Sequence, residues 1–352
     1  MLATHSSVEG AHPRELFHSE PGSLWNQVLQ PVESFLPQVV EKIEDQASSF
    51  EVELVAYARY ALATQGKQLR PILVGLSGGA TGSLGLDHVS IAVIIEMIHL
   101  ATLAHDDVMD GAQIRRSRPT LSANWGDGIS VLIGDCLFSH ALEMASQFPN
   151  PLVCRAFARA AKRVCSGEIL QTQHRQDLTL TRQKYFRVIE MKTAELFALA
   201  CEMGASFSGA SKSVEAAMRQ YGTALGTAYQ IYDDCLDVFG TEKAAGKSLG
   251  TDLEKGKLTL PILVALERSS AADRTTLAHL LENWEPAGLD WVQQTLSDLD
   301  CFEESRRCAG RFLAEGREQL GALDPSAHAE SMSHLLDYVD LQFQHLGSEQ
   351  HA

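Results

Sequence analysis

The sequence predicts an all-α protein that folds as a single domain, a bundle of roughly a dozen helices. Apolar residues recur at three-and-four spacing along most of the chain, which is the period of a helix with one buried face. No segment alternates apolar and polar residues between hairpin turns as a strand does. No internal repeat and no Pro-, Gly- or Ser-rich linker divides the chain.

One segment illustrates how the helices are assigned. From Tyr185 onward, Val188, Leu196 and Phe197 lie on or near one apolar stripe, and Gly204 provides a stop signal. The same pattern predicts helices at 26–48, 50–65, 88–108, 128–148, 151–175, 185–204, 214–239, 259–269, 274–283, 289–297, 302–321 and 328–346. We expect residues 1–25 to form a loose polar tail, residues 26–346 the helical domain, and residues 347–352 a C-terminal tail.

Composition excludes several classes of function. Forty-five acidic against 29 basic residues give a net charge of −16, which argues against a nucleic-acid partner. Seven scattered cysteines without a CxxC pair argue against a disulfide framework or a structural zinc site and indicate a reducing cytoplasm.

The N-terminus lacks the layout of a secretory signal. The apolar stretch 89–104 contains Glu96 and His99 and is shorter than the ~20 residues of a membrane span, so we expect no transmembrane segment. Transient contact with a membrane surface stays open.

The stretch HDDVMD, residues 105–110, places three carboxylates at the end of an apolar helix. If that helix continues, Asp106 and Asp110 lie one turn apart on one face, with Asp107 beside them. Two carboxylates ~6 Å apart repel by ~2–3 kcal/mol at an effective dielectric constant of ~20, so such a pair attracts a cation. A solvated acidic helix end is the alternative for this motif alone.

A second stretch, YQIYDDCLDVFG, repeats the arrangement with Asp233, Asp234 and Asp237. If the two helices face each other across a bundle, six carboxylates meet. Oxygen ligands without His or Cys select hard cations, and proteins usually hold Mg²⁺ with a few carboxylates together with substrate phosphates. The two motifs therefore predict a magnesium site and a phosphorylated ligand.

Basic residues group around other motifs of this acidic chain. They are Lys67, Arg70, Arg115, Arg116, Lys192, Lys247 and Lys257. Arginine binds phosphate through a planar pair of donors, and lysine adds a mobile charge. A solvated surface is the alternative for any one of them. The segment GTEKAAGKS, residues 240–248, is not a P-loop, because five residues separate its glycines instead of four and a helix is expected to precede it.

Seven motifs, in family order, resemble those of trans-isoprenyl diphosphate synthases of the polyprenyl synthetase family. They are GKQLRP, EMIHLATLAHDDVMD, RRSRPT, GEILQ, KTAELF, YQIYDDCLD and GTDLEKGKLTLP. The resemblance extends from about residue 26 to 346 and is closest to synthases of the hexaprenyl, octaprenyl and solanesyl type. It implies an isoprenoid synthase fold with helices around a central cavity, a homodimer, and Mg²⁺-dependent condensation of isopentenyl diphosphate with an allylic prenyl diphosphate.

The resemblance also implies roles residue by residue. Asp106, Asp110 and Asp233 match metal ligands, with Asp107, Asp234 and Asp237 in support, and three Mg²⁺ ions per site are common in the family. The residues implied to hold the allylic diphosphate are Arg115, Lys192, Thr193, Gln230, Lys247 and Lys257. Those implied to bind isopentenyl diphosphate are Lys67, Arg70, His99 and Arg116. Without the resemblance, His99 is interpreted as a core histidine bonded to the backbone.

The chemistry explains why these residue types suffice. Ionising an allylic C–O bond requires stabilisation of the departing diphosphate, which metal ions and fixed positive charges supply. The double bond of isopentenyl diphosphate then attacks the carbocation, and the released diphosphate is expected to remove the proton. Because water quenches a carbocation, we expect a dry pocket with Tyr229 or the Thr193 hydroxyl near the charge and residues 246–257 as a lid.

The apolar helix below Asp106 is expected to line a tunnel for the prenyl tail. About one turn below lie Ala101 and Thr102, where short-chain family members often carry aromatic residues. These small residues, and the short spacing between Asp107 and Asp110, favour a product longer than C20, of about C30–C50. An aromatic on a neighbouring helix such as Phe138 would shorten it, and a farnesyl or geranylgeranyl diphosphate synthase is the alternative.

Three positions depart from the family pattern: Ser117 stands for a glycine, Gln68 for an arginine and Tyr229 for a phenylalanine. Serine at position 117 affects the turn that aims Arg116, because glycine tolerates backbone angles that serine does not.

Two other functions fit the sequence less well. A noncatalytic partner subunit usually lacks aspartates in one cluster, and a terpene cyclase of the same architecture lacks the GKQLRP and RRSRPT pair.

Overall fold

A computed structural model describes residues 23–63, 66–241 and 249–349. Its α-helices are α1 (Leu24–Leu29), α2 (Leu36–Gln46), α3 (Val55–Leu62), α4 (Leu69–Thr81), α5 (Leu86–Met109), α6 (Leu121–Trp125), α7 (Asp127–Ser146), α8 (Pro151–Gln173), α9 (Arg182–Ile189), α10 (Glu195–Phe207), α11 (Lys212–Phe239), α12 (Thr251–Glu254), α13 (Leu260–Arg268), α14 (Ala271–Glu282), α15 (Leu289–Asp298), α16 (Cys301–Gln319) and α17 (Ala327–Glu349). In the described residues the only strands are β1 (Ile114–Arg115) and β2 (Arg118–Pro119), an antiparallel pair. The prediction of an all-α fold is confirmed.

The centre of the bundle is formed by α4, α5, α10 and α11. Helix α10 packs against α4 and α11, α5 packs against α4 and α7, and α11 packs against α16 on its other side. Most of α5 is buried around its whole circumference, which explains why its sequence is apolar on every face. One cluster of buried hydrophobic residues extends from Trp25 to Leu346. This packing fixes the ends of α5 and α11, where the aspartates lie.

Helix α4 is absent from the sequence prediction, which was wrong there. It contains Gly75, Gly78 and Gly79, and each glycine costs a helix ~1 kcal/mol relative to alanine. Its first nine residues other than Arg70 are buried, so no polar face gives it a helical period. A Cβ atom at Gly75 would lie 2.8 Å from the side chain of Val32. The glycines therefore allow close packing at the centre, a tertiary requirement that local pattern does not reveal.

Two predicted helices are interrupted. The helix predicted at 26–48 divides into α1, a 3₁₀ turn (Gln30–Val32) and α2, because Pro31 and Pro37 each sit at the start of a helical segment. The helix predicted at 185–204 divides into α9 and α10 around a π-helical turn (Glu190–Ala194). The helix predicted at 50–65 is shorter, Val55–Leu62.

Three short elements were not predicted: the β1–β2 hairpin, α6 and α12. At the chain ends, α1 begins at Leu24, before the predicted domain boundary at residue 26, and α17 reaches Glu349, beyond the boundary at residue 346. The predicted tail over residues 1–22 and the last residues of the predicted C-terminal tail lie outside the described residues.

Two described helices, Leu86–Met109 and Asp127–Ser146, are long and apolar enough to cross a bilayer on those two criteria. In the first, 67% of the most apolar stretch is buried inside the protein, as its central position requires. In the second the buried share is 39%, so α7 exposes part of an apolar face. The expected absence of a transmembrane segment stays a prediction.

Candidate active site

A cavity of about 2330 Å³ is lined by the C-terminal ends of α5 and α11. The predicted site residues that line it are Lys67, Arg70, His99, Thr102, Asp106, Asp110, Arg115, Arg116, Lys192, Thr193, Gln230, Asp233, Asp234 and Lys257. A helix C-terminus carries partial negative charge on its unpaired carbonyl groups. Carboxylates at two such ends are unfavourable unless cations neutralise them.

In the first aspartate cluster, the cavity-facing carboxylates are paired with basic side chains from distant segments. Asp110 accepts hydrogen bonds from Arg175 at 3.0 Å and from Lys257 at 2.8 Å. Lys192 Nζ lies 3.7 Å from Asp106 Oδ2. Burial acts to raise the pKa of Asp110, but Lys257 and its neighbours hold it below the usual value. Burial raises the pKa of Asp106, and Lys192 opposes that change.

In the second cluster, Asp234 is held by a tyrosine of α9 and by a glutamine of its own helix. Asp234 accepts hydrogen bonds from the Tyr185 hydroxyl at 2.6 Å and from Gln230 Nε2 at 2.8 Å. Burial, then the nearby Asp252, raises the pKa of Asp234 well above its usual value. Asp233 lines the cavity beside it.

The π-helical turn between α9 and α10 orients two of the predicted diphosphate-binding residues. A π turn inserts an extra residue into the helix and is frequent at functional sites. Here the successive residues Lys192 and Thr193 both line the cavity. The Thr193 hydroxyl donates to Gln230 Oε1 at 2.7 Å, which ties the turn to α11.

The GEILQ motif on α8 lies against this turn. A Cβ atom at Gly167 would lie 2.6 Å from the backbone nitrogen of Lys192, so only glycine permits this close approach. Lys192 Nζ donates to Gln171 Oε1 at 2.9 Å and contacts the Glu168 carboxylate. Burial acts to lower the pKa of Lys192, but Asp106 and Glu168 raise it, so the amine stays charged.

A second basic group lies on the α4 side of the cavity. Arg70 is half-buried with its guanidinium 5.0 Å from the Phe197 ring, and desolvation lowers its pKa to about 10. Burial raises the pKa of Glu96, opposed by Arg70 and Arg116. Burial, then Arg70 and Arg116, lowers the pKa of His99 well below its usual value, so its ring is neutral. Arg70 and Arg116 therefore give this side of the cavity a positive charge.

The β1–β2 hairpin carries Arg115 and Arg116. Arg116 and Ser117 at its tip have φ angles of 51° and 59°, the left-handed region that two-residue hairpin turns require. Serine pays ~1–2 kcal/mol in this conformation, which explains why the family pattern has glycine there. Tyr60 fixes the hairpin from outside by donating its hydroxyl to Pro119 O at 2.7 Å.

Three predicted site residues do not line the cavity. Ala101 is fully buried in the core. Asp107 accepts a hydrogen bond from Arg115 Nε at 2.6 Å and borders a separate small pocket. Asp237 accepts from the Thr251 hydroxyl at 2.6 Å and the Asp252 amide at 3.0 Å, at the start of α12. Lys247 lies outside the described residues, as does the start of the predicted lid, 246–257. Residues 249–257 of that lid are described.

Several residues at the cavity had no role in the sequence prediction. They are Glu96, Glu168, Gln171 and Arg175. Asp252 and Lys255, which also line the cavity, were predicted only as part of the lid. Glu168 and Gln171 lie in the GEILQ motif, so the motif itself is the signal that could have identified them. Arg175 follows α8 outside any motif and is revealed only by its contact with Asp110.

The donor set fits magnesium on chemical grounds. The carboxylate oxygens of Asp106, Asp110 and Asp233 line the cavity, and such oxygen ligands are the ones that Mg²⁺ prefers. Within the described residues, no three acidic, His or Cys side chains are gathered closely enough to hold a metal alone. This matches an ion held by a few carboxylates together with the phosphates of a substrate.

Comparison with known proteins identifies the family. The polyprenyl synthetase family model matches residues 51–299. The chain is 32% identical over 303 residues to heptaprenyl diphosphate synthase component 2 of Bacillus subtilis, covering 86% of each chain. It is 32% identical to a short chain isoprenyl diphosphate synthase of Methanothermobacter thermautotrophicus, covering 89% of this chain and 98% of that one.

A solved structure has the same fold. The polyprenyl synthase from Caulobacter crescentus, complexed with calcium and isoprenyl diphosphate, superposes with a TM-score of 0.85 at 30% identity, covering 92% of this chain and 98% of that one. The match therefore includes the helices that carry both aspartate clusters. The chain belongs to the polyprenyl synthetase family and is a trans-prenyl diphosphate synthase, a prenyltransferase of isoprenoid biosynthesis.

Proposed function

We propose that the enzyme condenses isopentenyl diphosphate with an allylic prenyl diphosphate and makes an all-trans product longer than C20, of about C30–C50. The observation that carries this proposal is one cavity lined by aspartates of both α5 and α11 and by basic residues from four other segments. The reaction is ionisation of the allylic C–O bond, attack by the double bond, and loss of a proton to the released diphosphate.

In the allylic half of the site, the proposed metal ligands are Asp106, Asp110 and Asp233, with three Mg²⁺ ions per site. Bound Mg²⁺ would neutralise the charge that develops on the departing diphosphate. The calcium and isoprenyl diphosphate bound by the Caulobacter crescentus enzyme support a shared site for cation and diphosphate. Asp107, Asp234 and Asp237 act behind the ligands by holding Arg115, Gln230 and the start of α12.

The allylic diphosphate is held by the basic residues that now neutralise the aspartates. Lys192 and Lys257 pair with Asp106 and Asp110, and both side chains lie within reach of a ligand in the cavity. Arg115, Thr193 and Gln230 line the same region, and Lys247, outside the described residues, is proposed to join them. Binding of substrate with metal thus exchanges one set of ion pairs for another, so charge stays balanced throughout.

The basic group on the α4 side of the cavity is proposed to bind isopentenyl diphosphate. Arg70 and Arg116 contribute charge, Lys67 adds a mobile amine, and neutral His99 contributes a hydrogen bond. Aromatic rings of Phe197 and Tyr229, with centroids 5.9 Å apart, line the space between the two halves of the site. Their faces stabilise positive charge while their bulk excludes water.

Chain length is proposed to depend on the wall formed by Thr102 and Phe138, which both line the cavity. Threonine is small, which leaves room beside α5 and supports a long product. Relatives at 32% identity include both a heptaprenyl and a short-chain synthase, so overall similarity does not choose between them.

Product analysis tests the activity and the chain length together. Purified protein is incubated with Mg²⁺, labelled isopentenyl diphosphate and allylic primers from C5 to C20, and the products are separated by length. We expect products longer than C20 from the wild type and shorter ones from Thr102→Phe. The sequence predicts the same shortening for Ala101→Phe, whereas the position of Ala101 behind the wall predicts lost stability instead. Products of C20 or less from the wild type would contradict the long-chain assignment.

The exposed apolar face of α7 is proposed to form a homodimer. Val131 and Leu132 are adjacent on α7 and are 38% and 60% exposed. Contiguous exposed apolar residues are typical of an interaction surface. Light scattering that gives a monomer mass would contradict this proposal.

Met109 and Ile114 are also exposed and line the cavity, which supports transient membrane contact as product leaves.

All seven cysteines are free thiols, which supports the proposed cytoplasmic location.

A further inference from the structure

The C-terminal helix contacts Lys67 of the first basic motif through a tyrosine, Tyr338. Lys67 Nζ donates a hydrogen bond to the Tyr338 hydroxyl oxygen at 3.1 Å. The same amine lies 5.3 Å from the centroid of the Tyr338 ring, within the range of a cation–π interaction. Lys67 lines the cavity, and Tyr338 is not among the described residues that do. In the described hydrogen bonds and ring contacts, Tyr338 meets the cavity through Lys67.

Tyr338 is itself held by the first helix of the protein. The centroids of the Trp25 and Tyr338 rings are 4.8 Å apart, and Trp25 is buried. Seven residues before Tyr338, the Ser331 hydroxyl donates to the backbone carbonyl of Gln27 at 2.9 Å. Helix α17 also packs along α1 and α4. The tyrosine is thus fixed by two contacts between the ends of the chain.

Both ends lie outside the part of the chain that the family model matches, residues 51–299. Trp25 precedes this range and Tyr338 follows it, yet together they hold a residue of the GKQLRP motif. The contact consequently joins residues on both sides of the matched range to a residue within it.

We propose that Tyr338 is a positioning residue that orders the Lys67 amine for the diphosphate of isopentenyl diphosphate. A lysine side chain has many rotamers, and restricting them before binding reduces the entropy lost when the ligand arrives. The hydroxyl oxygen takes one of the three ammonium donors and leaves two for phosphate oxygens. This inference rests on the proposed function, in which Lys67 binds that substrate.

The test compares Tyr338→Phe with the wild type. Phenylalanine keeps the ring, its contact with Trp25 and the cation–π geometry, and it removes only the hydrogen bond. We expect the KM for isopentenyl diphosphate to rise by about threefold to tenfold, the range typical of one lost hydrogen bond. We expect kcat and the KM for the allylic substrate to change by less than about twofold, because no allylic-site residue touches Tyr338 in the described contacts.

A matched control separates positioning from loosening of α17. The Tyr221 hydroxyl on α11 donates to Met332 O on the same C-terminal helix at 2.7 Å, and Tyr221 does not line the cavity. We expect Tyr221→Phe to lower stability without raising the KM for isopentenyl diphosphate selectively. In a Lys67→Met background, Tyr338→Phe is expected to add no further rise.

Three outcomes would overturn the proposal: an unchanged KM for isopentenyl diphosphate in Tyr338→Phe, an equal rise in both substrate KM values, or the same relative rise in the Lys67→Met background. Failure of the proposed function is distinguishable, because the wild type would then not transfer prenyl groups to isopentenyl diphosphate at all.

Discussion

The two aspartate clusters have the same sequence spacing and different surroundings. Both occupy the last turns of a long helix, α5 and α11. In the first, the outer carboxylates Asp106 and Asp110 both line the cavity and pair with lysine and arginine side chains. In the second, Asp233 and Asp234 line the cavity, while Asp237 is fully buried against the start of α12. Identical spacing therefore does not give identical roles.

The difference follows from what comes after each helix. The chain leaves α5 at Asp110 and turns into an exposed hairpin, so the last carboxylate stays at the cavity. After α11 the chain returns beneath the helix, where Thr251 and the Asp252 amide meet Asp237. A buried carboxylate needs such donors to remain charged. The first cluster therefore keeps both outer carboxylates at the cavity, whereas in the second Asp237 anchors the start of α12.

The largest expected effect is the loss of turnover in Asp106→Ala and Asp233→Ala. Each removes a proposed metal ligand from one side of the cavity, and we expect kcat to fall at least about 10³-fold, the scale of losing a principal electrostatic stabiliser. Circular dichroism should report unchanged helix content. Steady-state kinetics with labelled isopentenyl diphosphate measures the loss. Asp298→Ala is the control, because Asp298 lies on the exposed face of α15 and contacts only Gln294 in the described hydrogen bonds. Near-normal turnover in either cavity variant would mean that the clusters do not share a substrate.

A smaller effect on catalysis is expected for Asp237→Asn. Asparagine keeps the shape but turns one acceptor into a donor that faces the Thr251 hydroxyl or the Asp252 amide. The loss of a buried charged acceptor costs ~1–3 kcal/mol, so we expect Tm to fall by a few degrees and kcat to fall less than about tenfold. Thermal unfolding and kinetics are measured on the same preparation.

The opposite result, kcat reduced 10³-fold with an unchanged Tm, would mean that Asp237 acts on the metal as Asp233 is proposed to do. That outcome would remove the contrast between the two clusters. Asp233→Asn, measured in parallel, provides the reference for a cavity-facing carboxylate of the second cluster.

Sequence reasoning predicted the long helices, because their buried stripes or continuous apolar faces are local properties. It missed α4, whose glycines are explained only by the helices packed against them. It also placed one continuous helix where the chain forms a π turn, and Lys192 and Thr193, which line the cavity, lie in that turn. The local spacing of apolar residues predicts that a helix is present more readily than it predicts where that helix is interrupted.

For the site, the motifs identified most of the cavity-lining residues, since each motif combines charges that have no reason to group on a solvated surface. They did not reveal orientation. Ala101 and Thr102 are adjacent in sequence, but only Thr102 reaches the cavity, because neighbouring helical residues point 100° apart. Arg175 contacts Asp110 from a segment without any motif, so only tertiary structure identifies it.

The ion pairs of Glu304 lie away from the cavity and provide a comparison with those of Asp106 and Asp110. A change at Glu304 is expected to have the smallest effect of those predicted, and the effect is on stability. Glu304 lies on α16 away from the cavity and accepts hydrogen bonds from Arg182 at 2.7 Å, Arg268 at 3.0 Å and Arg307 at 2.7 Å. Burial acts to raise its pKa, but Arg307 and Arg182 lower it from 4.5 to about 2. Because the folded-state pKa is depressed, the stabilisation is fully present above about pH 4.5 and is lost as pH falls toward 2.

We therefore expect Glu304→Gln to lower the urea midpoint at pH 7 and the difference from the wild type to shrink as pH falls from 5 to 3. Glu303→Gln on the same helix is the control: its partner Arg306 is 3.5 Å away and its own side chain is 62% exposed, so the pair contributes little at any pH. A difference that stayed constant down to pH 3 would mean that the arginines stabilise α16 by packing and not through the charge of Glu304. The ion pairs around Asp110 would then be the clearer case of stabilisation by paired charges in this protein. Replacing them with metal would then cost more free energy than the structure indicates.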